Sequence, residues 1–97
     1  SITEYEIDGN NPYQIEVFPN PFENDLIVKF NIKRSAKISY FITNNLGQII
    51  QKTDNKTYPD GNHELKINLY KRTSREILNL TVVFDNKYYV TKKLIRE

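Results

Sequence analysis

Two prolines one residue apart, Pro19 and Pro21, stand between a short apolar run and the longest alternating pattern in the chain. A proline ring fixes φ and removes a backbone donor, so Val17-Phe18-Pro19-Asn20-Pro21-Phe22 cannot continue a hydrogen-bonded ladder. The chain is expected to leave its sheet there. Asn20 precedes a proline and is pushed towards extended geometry, while its side chain can still bond nearby backbone, which favours a stiff corner over a loose loop. Phe18 and Phe22 flank the corner and can anchor it in apolar surface.

After the corner, side chains alternate with the period of a half-buried strand. Leu26, Val28, Phe30 and Ile32 fall on one face and Lys29, Asn31 and Lys33 on the other. Before it, Ile15-Glu16-Val17-Phe18 reads as a short strand. Residues 36 to 43 carry bulk on both faces, with Ile38, Tyr40 and Ile42 opposed to Phe41, as in a central strand. Asn44-Asn45-Leu46-Gly47 then turns the chain into a hairpin with Gln48 to Lys52, because Asn and Gly accept left-handed backbone. Asp54 to Tyr58 is polar, and Tyr58-Pro59-Asp60-Gly61-Asn62 reads as a tight turn. Leu65, Ile67 and Leu69 alternate next. Leu78, Leu80, Val82 and Phe84 form the most apolar strand, and Asp85-Asn86 suits a two-residue hairpin turn into the last strand, 87 to 95.

No stripe of helical period with caps occurs anywhere. Seven short strands with regular turns argue for an all-β, seven-stranded antiparallel sandwich of immunoglobulin-like proportions. At 97 residues the chain can build one core, and 38% hydrophobic with 12% aromatic residues is enough to fill it. Residues 1–14 end in an Asp8-Gly9-Asn10-Asn11-Pro12 breaker and read as a linker or an edge strand, leaving 15–97 as the domain.

Composition removes several classes of function. No apolar run approaches the roughly 20 residues of a membrane-spanning helix, and no membrane insertion is expected. The first residues lack a basic, then apolar, leader, so an export signal is expected to have been removed or to lie upstream in a longer parent. Absence of cysteine excludes disulfides, thiolate metal sites and a cysteine nucleophile. A net charge of +2 with interspersed signs is far from the basic excess of a nucleic-acid binder.

Chemistry-bearing constellations are equally sparse. The single histidine, His63, sits at a turn beside Glu64 without a local serine to activate, and reads as a surface residue. Asp60 and Asn62 flank Gly61, but the remaining ligands of a calcium loop are missing. Asn55-Lys56-Thr57 and Asn79-Leu80-Thr81 match the short glycosylation sequon, which carries little weight by itself. Seven tyrosines, Tyr5, Tyr88 and Tyr89 among them, could build a sugar-stacking face, although tyrosine is also a favoured strand residue. With no phosphate loop and no paired carboxylates, the chain is expected not to be an enzyme and to need no cofactor.

Several segments in order carry a resemblance. Val17-Phe18-Pro19-Asn20-Pro21-Phe22, the strand at Leu26-Ile27-Val28, Asn45-Leu46-Gly47-Gln48-Ile49-Ile50, Asp60-Gly61, Leu65 to Leu69, and the ending Tyr88-Tyr89-Val90-Thr91-Lys92-Lys93-Leu94-Ile95-Arg96-Glu97 together resemble the C-terminal sorting domain of the type IX (Por) secretion system of Bacteroidetes, type A. The likeness spans about residues 15 to 97. One departure is the absence of the family's Leu-x-x-Gly-x-Tyr run between Tyr70 and Leu80, where a longer charged connector stands.

The resemblance implies a transport address at the end of a larger secreted cargo. Such a domain is read by the type IX outer-membrane translocon and removed by the system's signal peptidase. The cargo, having crossed the periplasm, then stays on cell-surface lipopolysaccharide or is released. By the same carry-over Pro19, Asn20 and Pro21 shape the corner and Gly47 permits the hairpin, while Lys92, Lys93, Leu94 and Ile95 form the recognised end. An immunoglobulin-like or fibronectin-like accessory module and a carbohydrate-binding sandwich are the alternative readings.

Overall fold

Period-two alternation of apolar and polar side chains makes a strand bury one face, and each such strand here finds a partner. The structure, a computed structural model, describes residues 13–19, 24–69 and 76–96. Among them there is no helix. The strands are β1 (Ile15–Phe18), β2 (Asp25–Ile32), β3 (Ala36–Thr43), β4 (Ile49–Lys52), β5 (Lys56–Tyr58), β6 (Gly61–Asn68), β7 (Glu76–Phe84) and β8 (Tyr88–Arg96). One sheet has the order β1-β2-β6; the other has β4-β3-β7-β8, with β5 also along β3, and every pairing is antiparallel.

The inward faces are those the alternation indicates. Leu26, Val28, Phe30 and Ile32 of β2 meet Ile38, Tyr40 and Ile42 of β3 and Leu78, Leu80, Val82 and Phe84 of β7 in one buried cluster. Phe84 is the aromatic centre of that cluster. Phe30 meets it edge-on at 5.9 Å, and Tyr13 stacks on it at 4.1 Å with an 8° interplanar angle. Such pairs contribute about 0.5–1.5 kcal/mol beyond their burial. Tyr13 therefore belongs to the packed domain although it precedes the first strand.

Eight strands are present among the described residues where the sequence suggests seven, because the fourth is split. β3 pairs Phe41 with Lys52 and Ile42 with Gln51 on β4, and Ala36 with Tyr58 and Ile38 with Lys56 on β5. Between these blocks Thr53, Asp54 and Asn55 stand against only Ser39 and Tyr40, so one surplus residue bulges out of the ladder. Thr53 closes the break. Its N–H donates to the Tyr40 carbonyl at 3.0 Å, and its Oγ1 accepts from the Tyr40 N–H at 3.2 Å. The polar stretch 54 to 58 thus continues an edge strand. The expected turn at 58–62 is shorter than it reads, since β6 already begins at Gly61, whose φ of 120° starts the strand.

The remaining turns follow their chemistry. Asp85 and Asn86 adopt φ of 57° and 54°, the paired left-handed conformation of a two-residue hairpin. Asp85 also ties β7 to β3, its N–H donating to Lys37 O at 2.7 Å and its Oδ1 accepting from Lys37 N at 2.9 Å.

Candidate functional site

Connections alternate between the two ends of the sandwich, and this decides which motif segments meet. β1 ends at Phe18 and β2 begins at Asp25 at one end, where β3 also turns into β4, β6 runs towards β7, and β8 finishes. The opposite end holds the β2–β3, β5–β6 and β7–β8 connections. Segments that lie at the beginning, middle and end of the sequence are brought to the same end. They are the flanks of the proline corner, the Gly47 turn and the terminal strand.

Corner and terminus are joined by a side chain that the alternation alone does not single out. Arg96, the last residue of β8, is on the inward face and only 2% exposed. Its Nη2 donates to Oδ1 of Asn24 at 3.0 Å, and Glu76 is its register partner on β7. The Asn24 carbonyl in turn accepts from Leu69 N at 2.9 Å, at the exit of β6. A permanently charged guanidinium is costly to bury without acceptors, so the Arg96–Asn24 contact fixes the corner's far flank against the chain's end.

The four residues expected to form the recognised end divide by strand parity. Leu94 is wholly buried, opposite Leu78, and is a core residue. Lys92 shares its face but lies nearer the open seam, half-buried beside a groove of ≈ 460 Å³. One wall of that groove is β8 from Lys92 to Leu94, and the other is β1 from Ile15 to Phe18. Lys93 and Ile95 point the other way and are exposed on the outer face of the five-stranded sheet. Of the corner itself, Pro19 follows β1 as an exposed residue with a cis Phe18–Pro19 peptide bond. Asn20, Pro21 and Phe22 lie outside the described residues.

Gly47 stands where the expectation puts it, in the β3–β4 turn with φ of 81°. The organiser of that turn is Asn44. Its Oδ1 accepts from Leu46 N at 2.9 Å and Gln48 N at 3.0 Å, and its Nδ2 donates to Gln48 Oε1 at 2.8 Å. Its own backbone closes the loop with Gln48 O and Gly47 N, each at 3.0 Å. This is the asparagine-mimicked turn of general turn chemistry, and it makes a short exposed loop rigid.

The other candidates resolve into packing. His63 lies inside β6, not at a turn mouth. Its ring rests on Phe30 at 5.5 Å and Tyr58 at 5.1 Å, and Nε2 is 2.6 Å from Pro59 O. A carbonyl can only accept, so Nε2 carries the proton and the ring serves to pin the β5–β6 turn. Tyr13, Tyr40, Tyr58 and Tyr88 turn towards the core, which leaves Tyr89 as the one exposed tyrosine among the described residues. Adjacent tyrosines in a strand face opposite ways, so Tyr88-Tyr89 gives no planar row for a sugar. Among the described residues no three His, Cys, Asp or Glu side chains gather as metal ligands would.

A family model described as the secretion system C-terminal sorting domain matches residues 16–97. The chain belongs to that family. It is thereby a C-terminal sorting signal of type IX secretion, a role tied to export or cell-surface delivery. A search of curated proteins gives no match. The matched region of the sorting domain covers all eight strands except the first residue of β1, and it leaves out the buried Tyr13.

Proposed function

We propose that this domain is a non-catalytic address read as a folded shape, through the end of the sandwich where the flanks of the proline corner, the Gly47 turn and the terminal strand converge. What supports the reading is that convergence. The flanks of the corner, the Gly47 turn and the terminal strand are far apart in sequence but lie at one end of the sandwich, and the Arg96–Asn24 hydrogen bond couples the corner's far flank to the terminal strand. Recognition of a folded domain needs shape, edge backbone and a few side chains, and no reactive group.

Roles follow exposure. Leu94 acts through the fold, since a residue with no exposed surface cannot be touched by a partner while the domain is folded. Lys93 and Ile95 on the outer face, and Lys92 in the β1–β8 groove, are the terminal residues a partner can reach. The partners are the outer-membrane translocon of the type IX system, which reads the end, and its signal peptidase, which removes the domain from a cargo N-terminal to it in the parent chain. The cargo passes through the periplasm and ends at the cell surface or outside. The test is to fuse the 97-residue chain behind a periplasmic reporter in a strain with the type IX machinery. Reporter digestible by protease added to intact cells is the expected result. Reporter that stays wholly periplasmic would overturn the reading.

A further inference from the structure

Exposed apolar side chains scattered singly need no explanation, but a cluster does. The large apolar side chains most exposed among the described residues include Leu46, Ile49, Ile77 and Ile95. All four lie towards one end of the five-stranded sheet, the end where β3 turns into β4. Ile49 pairs with Thr43, Thr43 with Asn79, and Asn79 with Lys93, a single row across β4, β3, β7 and β8. Ile77 and Ile95 face each other one pleat further on, on the same outward side, and each is 41% exposed. Leu46 is at the tip of the β3–β4 turn, at the same end of the sheet, and is 81% exposed. A leucine so exposed contributes almost nothing to the core, yet the turn that carries it is held rigid by Asn44. A pre-ordered anchor loses little entropy on binding.

Charge separates this face from the other. Outward positions of β3, β4, β7 and β8 include Lys37, Lys52 and Lys93 and no carboxylate. The outer face of the three-stranded sheet carries both signs. Lys29 pairs with Glu64 at 3.7 Å, Asn31 bonds Asn62 at 2.7 Å, and Asn68 bonds Asp25.

We propose that the patch centred on Leu46, Ile49, Ile77 and Ile95 docks into an apolar pocket with an acidic rim on a protein of the secretion route. This rests on the sorting role proposed above and names the surface that serves it. Leu46 is the anchor that enters the pocket; Lys52 and Lys93 meet the rim. A second copy of the chain fits poorly, because it would set these lysines against more lysines. An anionic membrane fits poorly as well, since three lysines spread over one sheet face are fewer than the dense basic cluster that holds a protein on anionic lipid.

The test places Leu46→Glu and Ile77→Glu in the 97-residue chain behind a periplasmic reporter. Lys66→Glu, exposed on the other sheet, is the charge-changing control. All three sites are exposed, so unchanged melting temperatures establish that the variants fold. The expected result is surface delivery by wild type and Lys66→Glu, and a loss of about tenfold or more for Leu46→Glu and Ile77→Glu, since a charge forced into an apolar anchor site removes a hot spot. Equal delivery by wild type and Leu46→Glu overturns the docking patch and leaves the sorting role standing. Failure of wild type to reach the surface overturns the sorting role, and the patch with it. Sedimentation showing a dimer that Leu46→Glu abolishes assigns the patch to a second copy and overturns the proposal. Flotation of wild type, but not Leu46→Glu, with phosphatidylglycerol vesicles assigns it to lipid and does the same.

Discussion

Leu94 offers the sharpest separation of fold from recognition at the chain's end. It has no exposed surface, lies opposite Leu78 on β7, and belongs to the same cluster as Phe84. Leucine-to-alanine changes at such sites cost about 3–5 kcal/mol, the transfer term and the cavity together. A domain of this size has in all about 5–15 kcal/mol, so Leu94→Ala is expected to remove a large part of its stability. At about 4–8 °C per kcal/mol, the melting temperature falls by roughly 12 °C or more. Thermal unfolding followed by far-UV circular dichroism reads the shift, and urea unfolding should show a lower midpoint with an unchanged slope. Lys93→Ala, one residue away but exposed, is expected within about 0.5 kcal/mol of wild type. Melting of Leu94→Ala within about 4 °C of wild type would refute the inward assignment, as would equal losses in the two variants. Trimming Lys92 to Glu97 is a harsher version of the same perturbation. It strips the partners of Glu76 to Leu80 from β7 and exposes Leu78 and Leu80, so a trimmed domain is expected to unfold. Failure of a trimmed chain to sort would therefore report on folding as much as on recognition.

Three further outcomes follow from particular contacts. Tyr13→Ala should destabilise by about 3 kcal/mol through loss of the stack on Phe84, and a chain beginning at Glu16 should melt well below one beginning at Tyr13; equal melting temperatures would remove Tyr13 from the domain. Gly47→Ala should cost about 1 kcal/mol in urea unfolding from its φ of 81° alone, because a Cβ there meets nothing within 4 Å, and Gly47→Asn should recover part of it. Thr81 Oγ1 lies 2.9 Å from Thr91 Oγ1 on adjacent strands, so Thr81→Val should cost about 1 kcal/mol by leaving Thr91 without this partner, and adding Thr91→Val should cost little more in a double-mutant cycle.

Side-chain parity carried the sequence reading a long way. It placed the inward residues of β2, β3 and β7 correctly because those strands lie inside their sheets, where one face must be dry. It missed β5 because Lys56-Thr57-Tyr58 is an edge segment, exposed at Lys56 and Thr57, and an edge strand can be polar on both sides. The surplus residue between Lys52 and Lys56 hides the continuation as well, since it reverses the parity of the strand. His63 looked like a turn residue because Pro59 to Gly61 is a strong turn signal, whereas β6 starts at the glycine. Lys92, Lys93, Leu94 and Ile95 read as one unit in sequence but are shared between two faces of β8. Parity in fact contains that division; the resemblance treats the four together. What no local pattern could show is the meeting of Asn24 with Arg96, 72 positions apart. A charged residue at the end of a strand ordinarily reads as solvent-exposed, and its burial is a property of the sandwich end. Leu46 was visible as part of the turn, but its exposure depends on how the hairpin projects beyond the sheet.

A fold-as-signal is tested most directly by unfolding the domain while leaving the motif segments untouched. Leu80 has no exposed surface, pairs with Ile42 and Lys92, and lies outside the corner, the Gly47 turn and residues 92–95. A carboxylate buried there without a partner costs several kcal/mol, about as much as the domain's whole stability. With the 97-residue chain fused to a periplasmic reporter, Leu80→Asp should leave the reporter in the periplasm, while the volume-conserving Leu80→Met should deliver it to the cell surface as wild type does. Surface delivery by Leu80→Asp, in a chain shown by circular dichroism to be unfolded, would mean that a linear segment is the signal and would contradict recognition of the folded sandwich.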